Sequence, residues 1–153
     1  MFYKLLYYSV IENGKNPIVA HEFLGDNIDG KDVIIIDDMI SSGGSMIDTA
    51  RQLKTKNAKR VFISCTFGLF TEGLSLFDEA YEKCYFDKIV TTNLSYQLPE
   101  LKSRPYYAEA DMSKFLASII DFMNHDSSMA NVYTPTEKIR DFLSRYNNRE
   151  TDF

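Results

Sequence analysis

The chain has 153 residues, 44% of them hydrophobic and 25% charged, which is enough for one globular domain with a real core. Its net charge of -5 offers no basic excess to neutralise phosphodiesters, which excludes non-specific nucleic-acid binding. A small anion held by one loop stays open. No apolar run reaches the ~20 residues of a membrane span, and Met1–Tyr8 lacks the apolar core and cleavage site of a signal peptide. A cytoplasmic protein is expected. Two cysteines, Cys65 and Cys84, sit in apolar or aromatic surroundings without CxxC spacing, so both read as buried reduced thiols.

In chain order, Phe2–Val10 is rich in Tyr, Leu and Phe and reads as extended. Turn chemistry fills Glu12–Pro17, and Ile18–Leu24 reads as a second strand, so the two predict a hairpin or flap. Asp29-Gly30 is a further turn. Val33–Ile36 is a β-branched run without alternation, the pattern of a parallel strand covered on both faces and ended by Asp37 and Asp38. Met46, Ile47, Ala50 and Leu53 recur at helical spacing to about Lys56, and Val61–Cys65 is the next buried strand. Strand, loop, helix and strand make a right-handed parallel crossover. A short helix follows at Leu74–Ala80, then strands near Lys88–Thr91 and Tyr106–Ala108. Met112, Phe115, Leu116, Ile119, Ile120 and Met123 form a stripe expected to face a core. Asn124–Tyr133 reads as a linker, and Thr134–Glu137 is a capping box with proline at the first helical position. Ile139, Phe142, Leu143 and Tyr146 continue that last helix, for packing on the domain or on a neighbouring subunit.

The chemistry concentrates in Val33–Met46. In an open parallel sheet, ligands sit beyond the carboxyl ends of the strands. Asp37 and Asp38 stand there as acceptors for vicinal hydroxyls and as ligands for hydrated Mg²⁺. Ser41, Ser42, Gly43, Gly44 and Ser45 combine tight turning, hydroxyl donors and the amides of a helix N-terminus, which suits a phosphate. The plainer alternative is a helix cap with a flexible turn and a solvated acid pair. His21 on a strand and His125 in the linker read as structural or exposed, at no metal-ligand spacing with a cysteine. Lys54, Lys56, Lys59 and Arg60 read as a solvated face complementing a helix C-terminus, and Arg104 as a loop charge.

An apolar strand, Asp-Asp, two residues, then a small and hydroxyl run resembles the sugar-phosphate loop of type I phosphoribosyltransferases. The resemblance is closest to the ribose-phosphate diphosphokinase family. Asn16–Asp29, Ser64–Phe70, Lys88–Asn93 and Met112–Met123 follow that family's order, so the likeness covers roughly residues 2–127. It implies an α/β fold, a mainly parallel sheet flanked by helices, with an N-terminal flap and an added C-terminal helix. The domain would be 1–127, with 128–153 a linker and helix. The implied reaction turns ATP and ribose 5-phosphate into AMP and phosphoribosyl pyrophosphate with Mg²⁺. Asp37 and Asp38 would bind ribose hydroxyls, and Ser41–Ser45 the 5-phosphate. Lys4 would be what remains of a mobile Lys-Arg-Arg motif, with Leu5 and Leu6 in the arginine positions. Leucine cannot donate to a transferring phosphoryl group. The resemblance covers the family's C-terminal half only, while much of the ATP site belongs to the other half. The fragment, an excised piece or a truncated gene product, is therefore expected to have little or no kinase activity. A homo-oligomer stays open, and no nucleic acid or membrane partner is implied. The alternatives are a salvage phosphoribosyltransferase, for which no base-recognising hood is visible, and a non-catalytic regulatory subunit. A phosphorylation-receiver domain fails because Ser64–Phe67 and Tyr106–Glu109 supply neither its further aspartate nor its lysine.

Overall fold

A computed structural model describes residues 4–9, 18–24, 27–126 and 136–149. The expected turn at 12–17, the linker from 127 and the capping-box residues Thr134 and Pro135 lie outside these residues. The chain divides into two units, Met1–Ala110 and Asp111–Phe153.

In the first unit, β1 (Lys4–Ser9) pairs antiparallel with β2 (Ile18–Leu24), with Lys4 opposite Leu24 and Tyr8 opposite Ala20, which is the expected hairpin. The second sheet is parallel throughout, in the order β3 (Asp32–Ile40), β4 (Arg60–Gly68), β5 (Lys88–Thr92) and β6 (Tyr107–Ala110). Helix α1 (Gly44–Thr55) connects β3 to β4, and α2 (Ser75–Glu82) lies between β4 and β5. The expected α/β architecture with a parallel sheet and helical crossovers is present. A 3-10 turn at Pro99–Ser103, absent from the sequence reading, precedes β6.

Burial explains which residues took which roles. Val61, Ile63 and Cys65 on β4 alternate as buried with half-buried Phe62, Ser64 and Thr66, so one sheet face meets the core and the other does not. Met46, Ile47, Ala50 and Leu53 of α1, and Phe77 and Ala80 of α2, complete that core with Ile89, Phe86 and Tyr106. The expectation that Val33–Ile36 is covered on both faces fails. Val33 is buried, but Ile34 and Ile36 are 63% and 70% exposed. Among the described residues of this unit β3 is an edge strand, and neither α1 nor α2 covers its exposed face. An unbroken apolar run looks the same whether one or both faces are covered.

Both helices of this unit end in a Schellman pattern. After α1, Ala58 N–H donates to Leu53 C=O (3.1 Å) and Asn57 N–H to Lys54 C=O (2.9 Å), with Asn57 at φ 63°. After α2, Tyr85 N–H donates to Ala80 C=O (3.0 Å) and Cys84 N–H to Tyr81 C=O (2.9 Å), with Cys84 at φ 57°. That position puts Cys84 at the exposed end of a helix, which corrects the expectation of a buried thiol. Cys65 is buried and free, as expected.

Arg104 also departs from its plain reading. Its guanidinium grips Asp78 of α2 through two bonds, Nε to Oδ1 (2.8 Å) and a second nitrogen to Oδ2 (2.9 Å). Tyr106, only 1% exposed, donates its hydroxyl to the same carboxylate at 2.7 Å. Burial works to raise the Asp78 pKa, but the bonds from Arg104 and Tyr106 and the arginine charge together hold it below its ordinary value of 3.8. The stabilisation is therefore complete at neutral pH and is lost as pH falls through and below that value. Asp78→Ala leaves the Tyr106 hydroxyl without its acceptor and is expected to cost about 1–3 kcal/mol at pH 7. Urea melts of both proteins check this, and the gap should shrink near pH 3.

The second unit contains α3 (Ser113–Asn124) and α4 (Thr136–Arg149). Helix α3 buries none of its residues; Phe115, Leu116, Ile120 and Met123 are 37% to 69% exposed. The stripe exists where periodicity placed it, and within this unit no described residue buries it. His125 follows α3, where its ring nitrogen meets the Asp121 carbonyl oxygen at 2.9 Å, an exposed helix-end contact. No described helix is long and apolar enough to cross a membrane.

Candidate functional site

The strand β3 does not stop at its acid pair. Met39 pairs with Phe67 and Ile40 with Gly68, so the ladder runs two residues further than the carboxylates suggested. Backbone pairing is indifferent to the side chain, and Asp37 and Asp38 fall inside the last turn of pleat before the loop. Both are exposed. Successive strand residues point to opposite faces. Asp37 accepts the Asp38 N–H on its Oδ1 at 2.8 Å. Beside them on β4, in register with Asp37, is Cys65, whose Sγ contacts the Phe67 carbonyl oxygen at 3.1 Å. Burial pushes this thiol's pKa up, and the nearby charges of Asp37 and Asp38 push the same way.

The loop Ser41-Ser42-Gly43 turns the chain into α1. Gly43 holds φ 89°, a left-handed conformation that L side chains resist. A Cβ built there would meet Phe77 Cζ at 2.0 Å, so both backbone and packing require glycine. Gly44 differs: nothing lies within 4 Å of a Cβ built on it, so the first helical residue faces open space. The residue at the N-cap of α1 is Gly43, which has no side chain to cap with. The first helical bond runs from Ile47 N–H to Gly43 C=O at 2.9 Å. The amides of Gly44, Ser45 and Met46 precede it and carry the positive end of the helix dipole. The structure thus brings Ser41–Ser45 into one turn, with the acid pair on the strand leading into it. Lys4 lies on the separate two-stranded sheet, and Leu5 and Leu6 stand opposite Phe23 and Glu22.

Two supports under the strand ends had no sequence signal. The segment after β4 reaches back to the loop: Leu69 N–H donates to Ile40 C=O (2.8 Å) and Thr71 N–H to Ser41 C=O (3.1 Å). At the end of β5, Thr92 Oγ1 donates to the Thr66 carbonyl oxygen at 2.6 Å. Its neighbour Thr91, fully buried, shares a hydroxyl bond with Tyr107 (2.9 Å), and Tyr107 donates to Gln97 Oε1 (3.2 Å). Gln97 in turn donates to the Thr92 carbonyl oxygen at 3.2 Å, closing the loop after β5 on itself. Each buried polar group of this knot has a partner.

The basic cluster after α1 is only partly a solvated face, because two of its members are paired. Lys54, in the last turn of α1, donates to the Lys59 carbonyl oxygen at 2.9 Å and pairs with Asp87, while Arg60 pairs with Asp32. Among the described residues no group of three or more His, Cys, Asp or Glu side chains is placed to hold a metal. Magnesium asks for less, one or two carboxylates with substrate oxygens and water completing its shell, and the exposed pair Asp37 and Asp38 fits that demand.

Comparison with known proteins identifies the family. A family model described as phosphoribosyl synthetase-associated domain matches residues 8–134. A ribose-phosphate pyrophosphokinase of Pasteurella multocida is 32% identical over 119 residues, 78% of this chain and 36% of that protein. That of Corynebacterium glutamicum is 37% identical over 78 residues, 51% of this chain and 23% of that protein. The crystal structure of phosphoribosylpyrophosphate synthetase from Mycobacterium smegmatis shares the fold with a TM-score of 0.61, at 23% identity, over 71% of this chain and 35% of that one. The chain thus spans about a third of the length of these relatives, or less. Matched over most of its length, the chain belongs to the phosphoribosyl synthetase-associated family, as a domain of the ribose-phosphate diphosphokinase kind.

Proposed function

We propose that the chain binds the sugar phosphate of the ribose-phosphate diphosphokinase reaction, ribose 5-phosphate or phosphoribosyl pyrophosphate, and has little or no kinase activity by itself. The observation that carries this is the turn at Gly43, where a left-handed glycine aims uncapped helix amides past the end of a parallel strand bearing two exposed carboxylates. In this reading the amides of Gly44 and Ser45 and the hydroxyls of Ser41, Ser42 and Ser45 bond the 5-phosphate. Gly43 gives them their direction. Asp37 and Asp38 accept from the ribose hydroxyls. Mg²⁺, when bound, would neutralise phosphate charge beside the same carboxylates.

The sugar-phosphate domain would run over 1–127, with 128–153 as linker and C-terminal helix. The relatives are about twice as long, and ATP binding and diphosphoryl transfer would need residues outside this chain. Leu5 and Leu6 support the loss of activity, since neither can stabilise developing phosphoryl charge. A cytoplasmic location and a homo-oligomer accord with the reading.

Titration calorimetry with ribose 5-phosphate and Mg²⁺ should give a saturable isotherm. A coupled assay supplied with ATP should release no AMP above background. A flat isotherm would remove the binding claim, and robust AMP release would remove the claim of inactivity.

A further inference from the structure

We infer that Phe70 and Phe77 are positioning residues, an aromatic floor that fixes the Ser41–Ser45 turn before any anion arrives; this rests on reading that turn as the phosphate cradle. Phe77 is fully buried, and its ring occupies the space a Gly43 side chain would need. Phe70, 3% exposed, meets Phe77 edge-on with ring centroids 5.0 Å apart and planes at 74°. The same Phe70 ring lies against Gly68, the last residue of β4, where an added Cβ would fall 2.7 Å from Phe70 Cε2. That Cβ would also come within 2.8 Å of Thr91 Cγ2 on β5. Two glycines and two rings therefore form one contiguous series of contacts from the α1 N-cap to the end of β4.

The backbone follows the rings. The bonds from Leu69 and Thr71 to Ile40 and Ser41 extend the β3–β4 pairing beyond the sheet and into the turn. Phe70 itself holds φ 48°, a left-handed conformation that is an outlier for a bulky residue. Such strain persists where the surroundings over-determine it, and it clusters at ligand-holding elements. Here burial of the ring and the flanking bonds supply that determination. A flat ring can lie against a bare Cα where a branched aliphatic side chain cannot. The consequence for binding is pre-organisation. Amides already held in place do not consume binding energy in being ordered.

The test uses the full chain with Phe77→Leu, Phe70→Leu and a control, Leu101→Ala, which empties a fully buried site in the 3-10 turn. Amide exchange of Ile47, Leu69 and Thr71, whose N–H groups bond Gly43, Ile40 and Ser41, should speed up about tenfold in both phenylalanine variants, as loss of a local clamp raises local opening. It should stay within about twofold in Leu101→Ala despite a comparable drop in Tm. Calorimetry should show ribose 5-phosphate affinity falling about tenfold in Phe77→Leu, the loss of pre-organised donors, and unchanged in the control. Unaltered exchange and affinity in both phenylalanine variants, with wild type binding, would overturn the floor and leave the sugar-phosphate reading standing. Wild type that fails to bind while exchange responds would sink the sugar-phosphate reading and leave the clamp. Should Phe77→Leu fail to fold, Phe70→Leu gives the same two readouts.

Discussion

Gly43→Ala is expected to cost the protein about 2–5 kcal/mol, combining left-handed strain with overpacking of the core. The conformational part follows from φ 89°, which alanine adopts only under strain. The packing part follows from a methyl 2.0 Å from Phe77 Cζ, with further ring atoms at 2.7 and 2.9 Å. Phe77 is fully buried, so the ring cannot simply swing into solvent. Relief requires moving the turn, which would take the amides of Gly44 and Ser45 out of register. Thermal melts should show the loss directly. Gly44→Ala is the matched contrast. Its added methyl meets nothing within 4 Å, so the fold should tolerate it, and alanine improves helix propensity by about 1 kcal/mol. If a phosphate approaches that bare Cα, the same methyl should nonetheless weaken ribose 5-phosphate binding.

The second large effect is on the ligand rather than the fold. Neutralising both acids, Asp37→Asn with Asp38→Asn, should weaken ribose 5-phosphate affinity by about a hundredfold or more, from about 1.5–3 kcal/mol for each hydrogen bond to a charged group. Both side chains are exposed, so stability should shift by under about 0.5 kcal/mol. Asparagine also keeps an acceptor for the Asp38-position N–H now bonded to Asp37 Oδ1, which preserves the local backbone. A loss of affinity with an unmoved Tm isolates the chemistry of the pair. Unchanged affinity would mean the carboxylates face away from the sugar.

The β3–α1–β4 crossover was legible in the sequence because its signals agree: a β-branched run, two glycines, then a stripe at helical spacing. The turn itself was legible as a motif, and the structure adds why Gly43, rather than Gly44, is the sterically required glycine. The outer face of β3 was not legible, since a buried run and an edge run share one composition. The stripe of α3 was legible as a stripe only, as amphipathic spacing says which residues share a face and not what covers it. Cys84 was assigned to the interior by its aromatic neighbours, whereas a Schellman turn holds it at a helix end. Phe70, Phe77 and the Thr91–Tyr107–Gln97 knot lie far apart in sequence. The sheet register sets Thr91 between Cys65 and Glu109, while α2 and the segment after β4 carry Phe77 and Phe70.

A crystal of the chain grown with ribose 5-phosphate and Mg²⁺ tests the central claim most directly. The account predicts phosphate oxygens bonded to the backbone amides of the Gly43–Ser45 turn, with the ribose hydroxyls against Asp37 and Asp38. Density for the sugar phosphate elsewhere, for example on the basic cluster of Lys54, Lys59 and Arg60, with that turn left to solvent, would contradict it.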